Sequence, residues 1–386
     1  MSSPPPLYLD HHATTPVDPR VLQAMIPYFQ AEYANPASGH RLGLRAAEAV
    51  DNARQRIANT LHADPRGLIF TSGATEANNL AIKGTLAGAT GRNHLVVATT
   101  EHRAVLAPAR RMARSGIAVT YLPVNSQGHL DLDQLAEAIT PQTALVSLMA
   151  ANNETGLLHP LSEIARICHE KGTLFHCDAA QAYGKIPIDI ESLGVDLLSL
   201  TAHKLYGPVG SGALWVRRDR DRIPLLPQID GGGQEQGLRS GTVALPLIIG
   251  FAEAAAIAER ERTSDGLGLA TLRNEIYQQL LTAIPDLVRH GDPACCLPHS
   301  LNVGIPGIDG DALLVKLQLT ELCVSSGAAC STTHREPSHV LTAMGVPGPL
   351  ARASLRFGLG RYTTRSEIGQ AVEIVVRIVN ELRRST

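Results

Sequence analysis

The sequence predicts an α/β protein: a mostly parallel mixed sheet flanked by helices, joined to a smaller α+β unit. Two observations predict it. Short apolar runs alternate with helical patterns from about residue 68 to 216. Strand alternating with helix implies a parallel sheet covered on both faces. Beyond that stretch the alternation stops and charge rises at Glu259, Arg260, Glu261 and Arg262, as where a helix leaves a main core.

The elements follow in order. Strands are expected at 68–71, 95–99, 119–122, 144–149, 174–177 and 197–200. Helices are expected between them at 76–87, 103–115, 132–139 and 161–171. The run 212–216 reads as a further strand, at an edge or antiparallel. A long helix is expected in two arms, 252–262 and 269–284, with a glycine-containing break between them. The domain boundary is placed at that break, giving a large domain over 16–260 and a small one from 1–15 with 261–386. The small domain includes apolar runs at 301–303, 313–317 and 368–382.

Composition narrows the function classes. Of 386 residues, 44% are hydrophobic and 18% charged, which fits a globular chain and not a disordered one. The formal net charge of -2 gives no basic excess for nucleic acid. Met1–Pro6 has no apolar core of signal-peptide length, and no apolar stretch reaches the 18 or so residues that span a bilayer. The cysteines Cys168, Cys177, Cys295, Cys296, Cys323 and Cys330 show no CxxC pair. They read as reduced thiols of a cytoplasmic protein, and no dedicated metal site is expected. Cys295, Cys296 and His299 lack a fourth ligand and read as a surface loop.

In open α/β sheets ligands collect at the carboxyl ends of the strands. After 68–71 come Ser72-Gly73-Ala74-Thr75-Glu76 and a helical run. Small residues and a helix N-terminus there make a phosphate cup, although an ordinary capped turn is the blander reading of that motif alone. Later strand ends supply Glu101 and His102, then Asn152, Asn153 and Glu154, then Asp178 and Gln181, then Thr201, His203 and Lys204. Each has a bland reading as a cap, a turn or a satisfied histidine. Their coincidence on one rim suits an aromatic cofactor carrying a phosphate and an aldehyde. A lysine amine forms a Schiff base with it and a carboxylate partners the ring nitrogen. Cys330 lies in Ser325-Ser326-Gly327-Ala328-Ala329-Cys330-Ser331, a run of small polar residues that reads as a loop bearing a thiol.

These motifs resemble the NifS/IscS-type cysteine desulfurases, class-V aminotransferases of the fold-type I pyridoxal-phosphate enzymes. The resemblance runs from Tyr8-Leu9-Asp10-His11-His12-Ala13-Thr14-Thr15-Pro16 to Leu355-Arg356-Phe357-Gly358. Between these lie Thr100-Glu101-His102, Asn152-Asn153-Glu154-Thr155-Gly156, His203-Lys204-Leu205-Tyr206-Gly207-Pro208 and Arg239-Ser240-Gly241-Thr242. The resemblance implies an enzyme that takes sulfur from L-cysteine, leaving L-alanine and a persulfide on Cys330. It implies pyridoxal 5'-phosphate held by Lys204, with Asp178 at the ring nitrogen, Gln181 at the ring hydroxyl and His102 stacked on the ring. Ala74, Thr75, Thr201 and His203 are implied for the phosphate, and Thr242 from the partner of a homodimer. Asn153 and Arg356 are implied for the substrate carboxylate, and Lys204 with His102 for proton transfer. The sulfur would pass to an acceptor protein such as an iron–sulfur scaffold, with Cys330 a transient ligand of the cluster. The sequence departs from the family at Thr201-Ala202, where Ser-Gly is common, and at Cys177, where an apolar residue is usual.

Overall fold

The computed structural model describes residues 6–219, 223–326 and 336–384. Its strands are β1 (Leu7–Tyr8), β2 (Leu68–Thr71), β3 (His94–Ala98), β4 (Ala118–Leu122), β5 (Thr143–Met149) and β6 (Leu174–Asp178). They continue with β7 (Leu197–Thr201), β8 (Gly212–Val216), β9 (Val288–Arg289), β10 (Ser300–Gly304), β11 (Leu322–Cys323) and β12 (Ser354–Gly358).

A seven-stranded sheet runs in the order β2-β8-β7-β6-β5-β3-β4. The pairs among β3 to β7 are parallel, while β8 is antiparallel to both neighbours. The strand at 212–216 is therefore antiparallel, but it is interior and not at an edge. Two glycines allow this. A Cβ on Gly212 would lie 2.5 Å from the Gly73 Cα and from the Leu200 carbonyl oxygen, so only glycine lets the chains come so close.

Helices cover both faces, and the strands alternate between the two resulting cores. Val96, Ala98, Val146 and Leu148 point into one apolar cluster, and Leu95, Val97 and Leu145 into the other. The helices fall at Arg103–Arg114, Leu132–Ala138 and Leu161–Glu170, close to the expected spans. The helix after β2 begins at Ala74 and reaches Gly88 through a π turn at Leu80–Gly84.

A second core surrounds a three-stranded antiparallel sheet, β12-β10-β9, and the parallel pair β1-β11. The helix Arg365–Arg384 packs into it through Ile368, Val375 and Val379.

The expected break in the long helix is absent. One 39-residue helix, Leu245–Ala283, runs through Gly266 and Gly268 and is about 58 Å long. Two interior glycines cost about 2 kcal/mol. The helix buries Leu269, Ile276 and Leu280 in the second core, and each such side chain contributes about 1.5–3 kcal/mol. Burial outweighs propensity, so the helix continues. Its first half, with Ile248, Phe251 and Ala255, belongs to the first core. No helix among the described residues is long and apolar enough to cross a membrane.

Candidate active site

The carboxyl ends of β2, β3, β5, β6 and β7 open into a cavity of about 350 Å³. Its lining brings together Ala74, Thr75, His102, Asn153, Asp178, Gln181, Thr201, His203 and Lys204. Residues separated by up to 130 positions meet because parallel strands present the same end to one rim.

Gly73 starts the helix at φ 149°, and no side chain caps it. The N–H groups of that first turn are therefore open to an anion without a competing cap. The Thr201 hydroxyl would lie 3.7 Å from a Cβ on Gly73, so this strand end adjoins the same turn. His203 flanks the cup, its Nδ1 3.1 Å from the Thr14 hydroxyl. Burial pulls His203 down to about 4, so it is a neutral hydrogen-bonding group at physiological pH.

Asp178 ends β6 with both oxygens held. Oδ1 accepts from the Ala180 N–H at 2.9 Å and Oδ2 from Asn78 Nδ2 at 2.7 Å. Gln181 is fixed twice by one residue: its Nε2 donates to the His12 carbonyl at 3.1 Å, and its Oε1 lies 3.1 Å from His12 Nδ1. Burial holds His12 well below its ordinary pKa. It is therefore neutral, and its Nδ1–H donates to Gln181. One Gln181 amide hydrogen is left for the cavity.

His102 caps the helix Arg103–Arg114, its Nδ1 accepting from the Ala104 N–H at 3.1 Å. The neutral ring then carries its proton on Nε2. Burial lowers its pKa, against the opposing pull of Asp178. Lys204 follows β7. Enclosure in the cavity pulls its ammonium down to about 8, again against Asp178. An amine with that pKa is partly neutral near pH 7, as a nucleophile and proton carrier requires.

Beneath the rim, Glu101 accepts from the Met149 N–H at 2.9 Å and is otherwise unpartnered; burial raises its pKa well above the carboxylate range. Glu154 is raised by burial to about 7 and accepts a hydrogen bond from the Ser338 hydroxyl.

Arg356, on β12, stands behind Asn153. Its Nη1 donates to the Asn153 carbonyl at 2.8 Å and its Nη2 to Asp10 Oδ1 at 2.7 Å. Arg356 Nε and Asn153 Oδ1 are buried and without partners. Thr242 is exposed and does not line this chain's cavity. Cys330 lies outside the described residues.

Cys295, Cys296 and His299 do not converge. His299 is buried and stacks on His12 at 4.5 Å, whereas Cys296 Sγ sits 3.1 Å from Arg273 Nη1. Sequence reasoning missed Asn78 and Asp10. Asn78 lies three residues after Thr75 on the same helix, hence on the same face. That spacing was the available signal.

The donor set fits one kind of group. A capless helix start and two hydroxyls suit a phosphate, a doubly held carboxylate suits a ring nitrogen, and a partly neutral lysine suits an aldehyde. The unpaired Asn153 Oδ1 and the spare Gln181 hydrogen are cavity-side valences awaiting a polar ligand. Fold and site together define a pyridoxal-phosphate enzyme.

Comparison with known proteins agrees. The family description Aminotransferase class-V matches residues 7–370. The cysteine desulfurase IscS of Rickettsia bellii is 46% identical over 381 residues, 98% of this chain and 92% of the relative. A solved NifS-like protein superposes with a TM-score of 0.91 at 36% identity, covering 98% of this chain and 100% of its own. A structure of SspA in complex with cysteine superposes with a TM-score of 0.80 at 35% identity, covering 92% of this chain and 99% of its own. The chain belongs to the class-V aminotransferase family and, within it, to the cysteine desulfurases.

Proposed function

We propose that this chain removes sulfur from L-cysteine, releases L-alanine and carries the sulfur as a persulfide on Cys330. The observation that carries this reading is the placement of Lys204 in one cavity with Asp178, His102 and the start of the helix at Ala74. Identity to cysteine desulfurases along nearly the whole chain supports the substrate.

Pyridoxal phosphate, when bound, supplies an aldehyde carbon for the substrate amine and a ring that withdraws electrons from the substrate α-carbon. The phosphate would sit on the helix start at Ala74 and Thr75, with Thr201 and His203 beside it. Asp178 would hold the ring nitrogen, Gln181 would donate to the ring hydroxyl, and His102 would stack on the ring face. Lys204 Nζ holds the cofactor at rest. Lys204 Nζ, when not engaged with the cofactor, would carry the substrate α-proton, with His102 Nε2 as the second proton carrier. Asn153 and Arg356 hold the substrate carboxylate, Arg356 through two N–H groups on one edge. The Cys330 thiolate takes the substrate sulfur. Its sulfur–sulfur bond forms as the carbon–sulfur bond breaks, and the carbon gains a proton to leave as alanine.

The wider context belongs to the same proposal. The enzyme works in the cytoplasm as a homodimer, and the exposure of Thr242 away from its own cavity supports a role in the partner's phosphate site. The persulfide sulfur passes to an acceptor protein such as an iron–sulfur scaffold. The large domain spans 16–260 and the small domain 1–15 with 261–386. The passage of one helix from the first core to the second supports a division within it.

The test is a cysteine-dependent alanine and sulfide assay, read beside the visible spectrum. Cys330→Ser keeps the cofactor band and loses sulfide release. Full sulfide release by that variant would refute the assignment of Cys330.

A further inference from the structure

Arg356 has its charge answered before any substrate arrives. Its side chain is 9% exposed and that of Asp10 17%, so the pair is far less hydrated than a surface ion pair. A guanidinium buried to this degree is costly without a counter-charge. Asp10 Oδ1 supplies it at 2.7 Å from Nη2.

Asp10 is itself tethered. Its Oδ2 accepts from the Ser325 hydroxyl at 3.0 Å. Ser325 is laced to the Arg356 backbone, with Arg356 N donating to the Ser325 carbonyl at 2.6 Å and Ser325 N to the Arg356 carbonyl at 3.3 Å. The Tyr8 hydroxyl donates to the Asp10 carbonyl at 3.2 Å. These bonds keep the carboxylate beside the guanidinium.

The three Arg356 nitrogens are in different states. Nη1 is committed to the Asn153 carbonyl, Nη2 holds Asp10, and Nε is buried and unpartnered. A carboxylate binds an arginine edge through two parallel N–H groups. Nε is the one nitrogen of the three with no partner, and on the edge it shares with Nη2 one of the two Nη2 hydrogens already serves Asp10.

We propose that Asp10 is the resident counter-ion of Arg356, a positioning residue that fixes the guanidinium and competes with the substrate carboxylate for Nη2. The proposal rests on Arg356 as the carboxylate site. Because Ser325 holds Oδ2, Asp10 cannot withdraw freely when substrate enters. Two carboxylates then share one cation, and the resident one weakens substrate binding. Asp10 thereby sets the concentration range of cysteine over which the enzyme responds.

The test uses the holoenzyme. Asp10→Asn keeps an amide for the Ser325 hydroxyl and removes the charge. L-Alanine, the product, is titrated against the visible cofactor band, and steady-state rates are measured with L-cysteine. The dissociation constant for L-alanine and the KM for cysteine are expected to fall roughly tenfold, with the change in KM larger than that in kcat. A rise in either constant, or no change, overturns the proposal, because a purely structural prop would loosen Arg356 and weaken binding. Ser325→Ala is the second variant. It leaves the charge but cuts the tether, and a fall of about threefold in the L-alanine constant is expected; no fall overturns the proposal. Arg356→Gln separates this from the underlying reading. If that variant binds L-alanine as wild type does, Arg356 is not the carboxylate site and both statements fail.

Discussion

The floor of the cavity and its far wall are built on opposite principles. On the floor, the groups assigned to the cofactor are tied back to protein: Asp178 has partners on both oxygens, and Gln181 is gripped twice by His12. The unpaired polar atoms there sit on the residues that do the holding, Asn78 Oδ1 and His12 Nε2. On the wall at Asn153, and on Arg356 behind it, the groups assigned to the substrate carry open valences themselves, Asn153 Oδ1 and Arg356 Nε. A resident cofactor is met by a surface fixed in advance, which removes reorganisation from the reaction. The groups assigned to a transient substrate keep part of their bonding capacity open, Arg356 Nε among them although Asp10 already answers its charge, and filling it concentrates binding energy on substrate arrival.

This contrast can be broken most severely at Lys204. Lys204→Ala is expected to remove the visible band of lysine-bound cofactor and to lower turnover by a factor of 10³ or more, roughly the combined worth of a nucleophile and a proton carrier. A retained band would place the cofactor linkage elsewhere.

The floor's electrostatics give a pH test. Cofactor-free protein reacts with the aldehyde only through neutral Lys204, whose pKa is about 8. The rate of cofactor loading is expected to rise about tenfold per pH unit up to about 8 and then to level. Asp178 pulls this value upward against burial, so Asp178→Asn should move the midpoint lower. A midpoint moving higher would contradict the assigned direction.

A smaller effect is expected at Asn78, whose amide holds Asp178 Oδ2. Asn78→Ala should raise the cofactor dissociation constant about tenfold, the worth of one hydrogen bond to a charged group. Reconstitution of cofactor-free protein followed by absorbance measures it. An unchanged constant would show that Ala180 alone suffices to hold the carboxylate.

A last effect is on stability and not on turnover, at Glu154 beneath the rim. Burial raises Glu154 to about 7, above an ordinary glutamate near 4.3. The folded state therefore binds more protons than the unfolded one between these values, and this group's contribution is lost as pH rises through about 7. Glu154→Gln should match wild type near pH 4 and gain up to about 3 kcal/mol on it by pH 8. Thermal melts of both proteins across that range check the sign. A gap that does not widen with pH would refute it.

Much of the floor was legible in the sequence because strand ends are local features. Lys204, Asp178 and His102 each follow an apolar run, and the alternation of runs says that those ends share a rim. The position of β8 was not legible. Its pairing with β2 and β7 depends on Gly73 and Gly212 meeting across 139 residues, which no local pattern reveals. The long helix was misjudged because Gly266 and Gly268 signal a break locally, while the burial of Leu269, Ile276 and Leu280 that overrides them is tertiary. Asp10 went unassigned for a related reason: its partner Arg356 is 346 positions away.

The proposed transfer of sulfur to Cys330 is addressed directly by one measurement. Holoenzyme is treated with L-cysteine without reductant, trapped with a thiol-blocking reagent, digested, and its cysteine peptides are weighed. The account predicts one added sulfur atom on the peptide carrying Cys330, in amounts matching the alanine released. Alanine released with no added sulfur on that peptide, or with the sulfur on the Cys323 or Cys296 peptide instead, would contradict it.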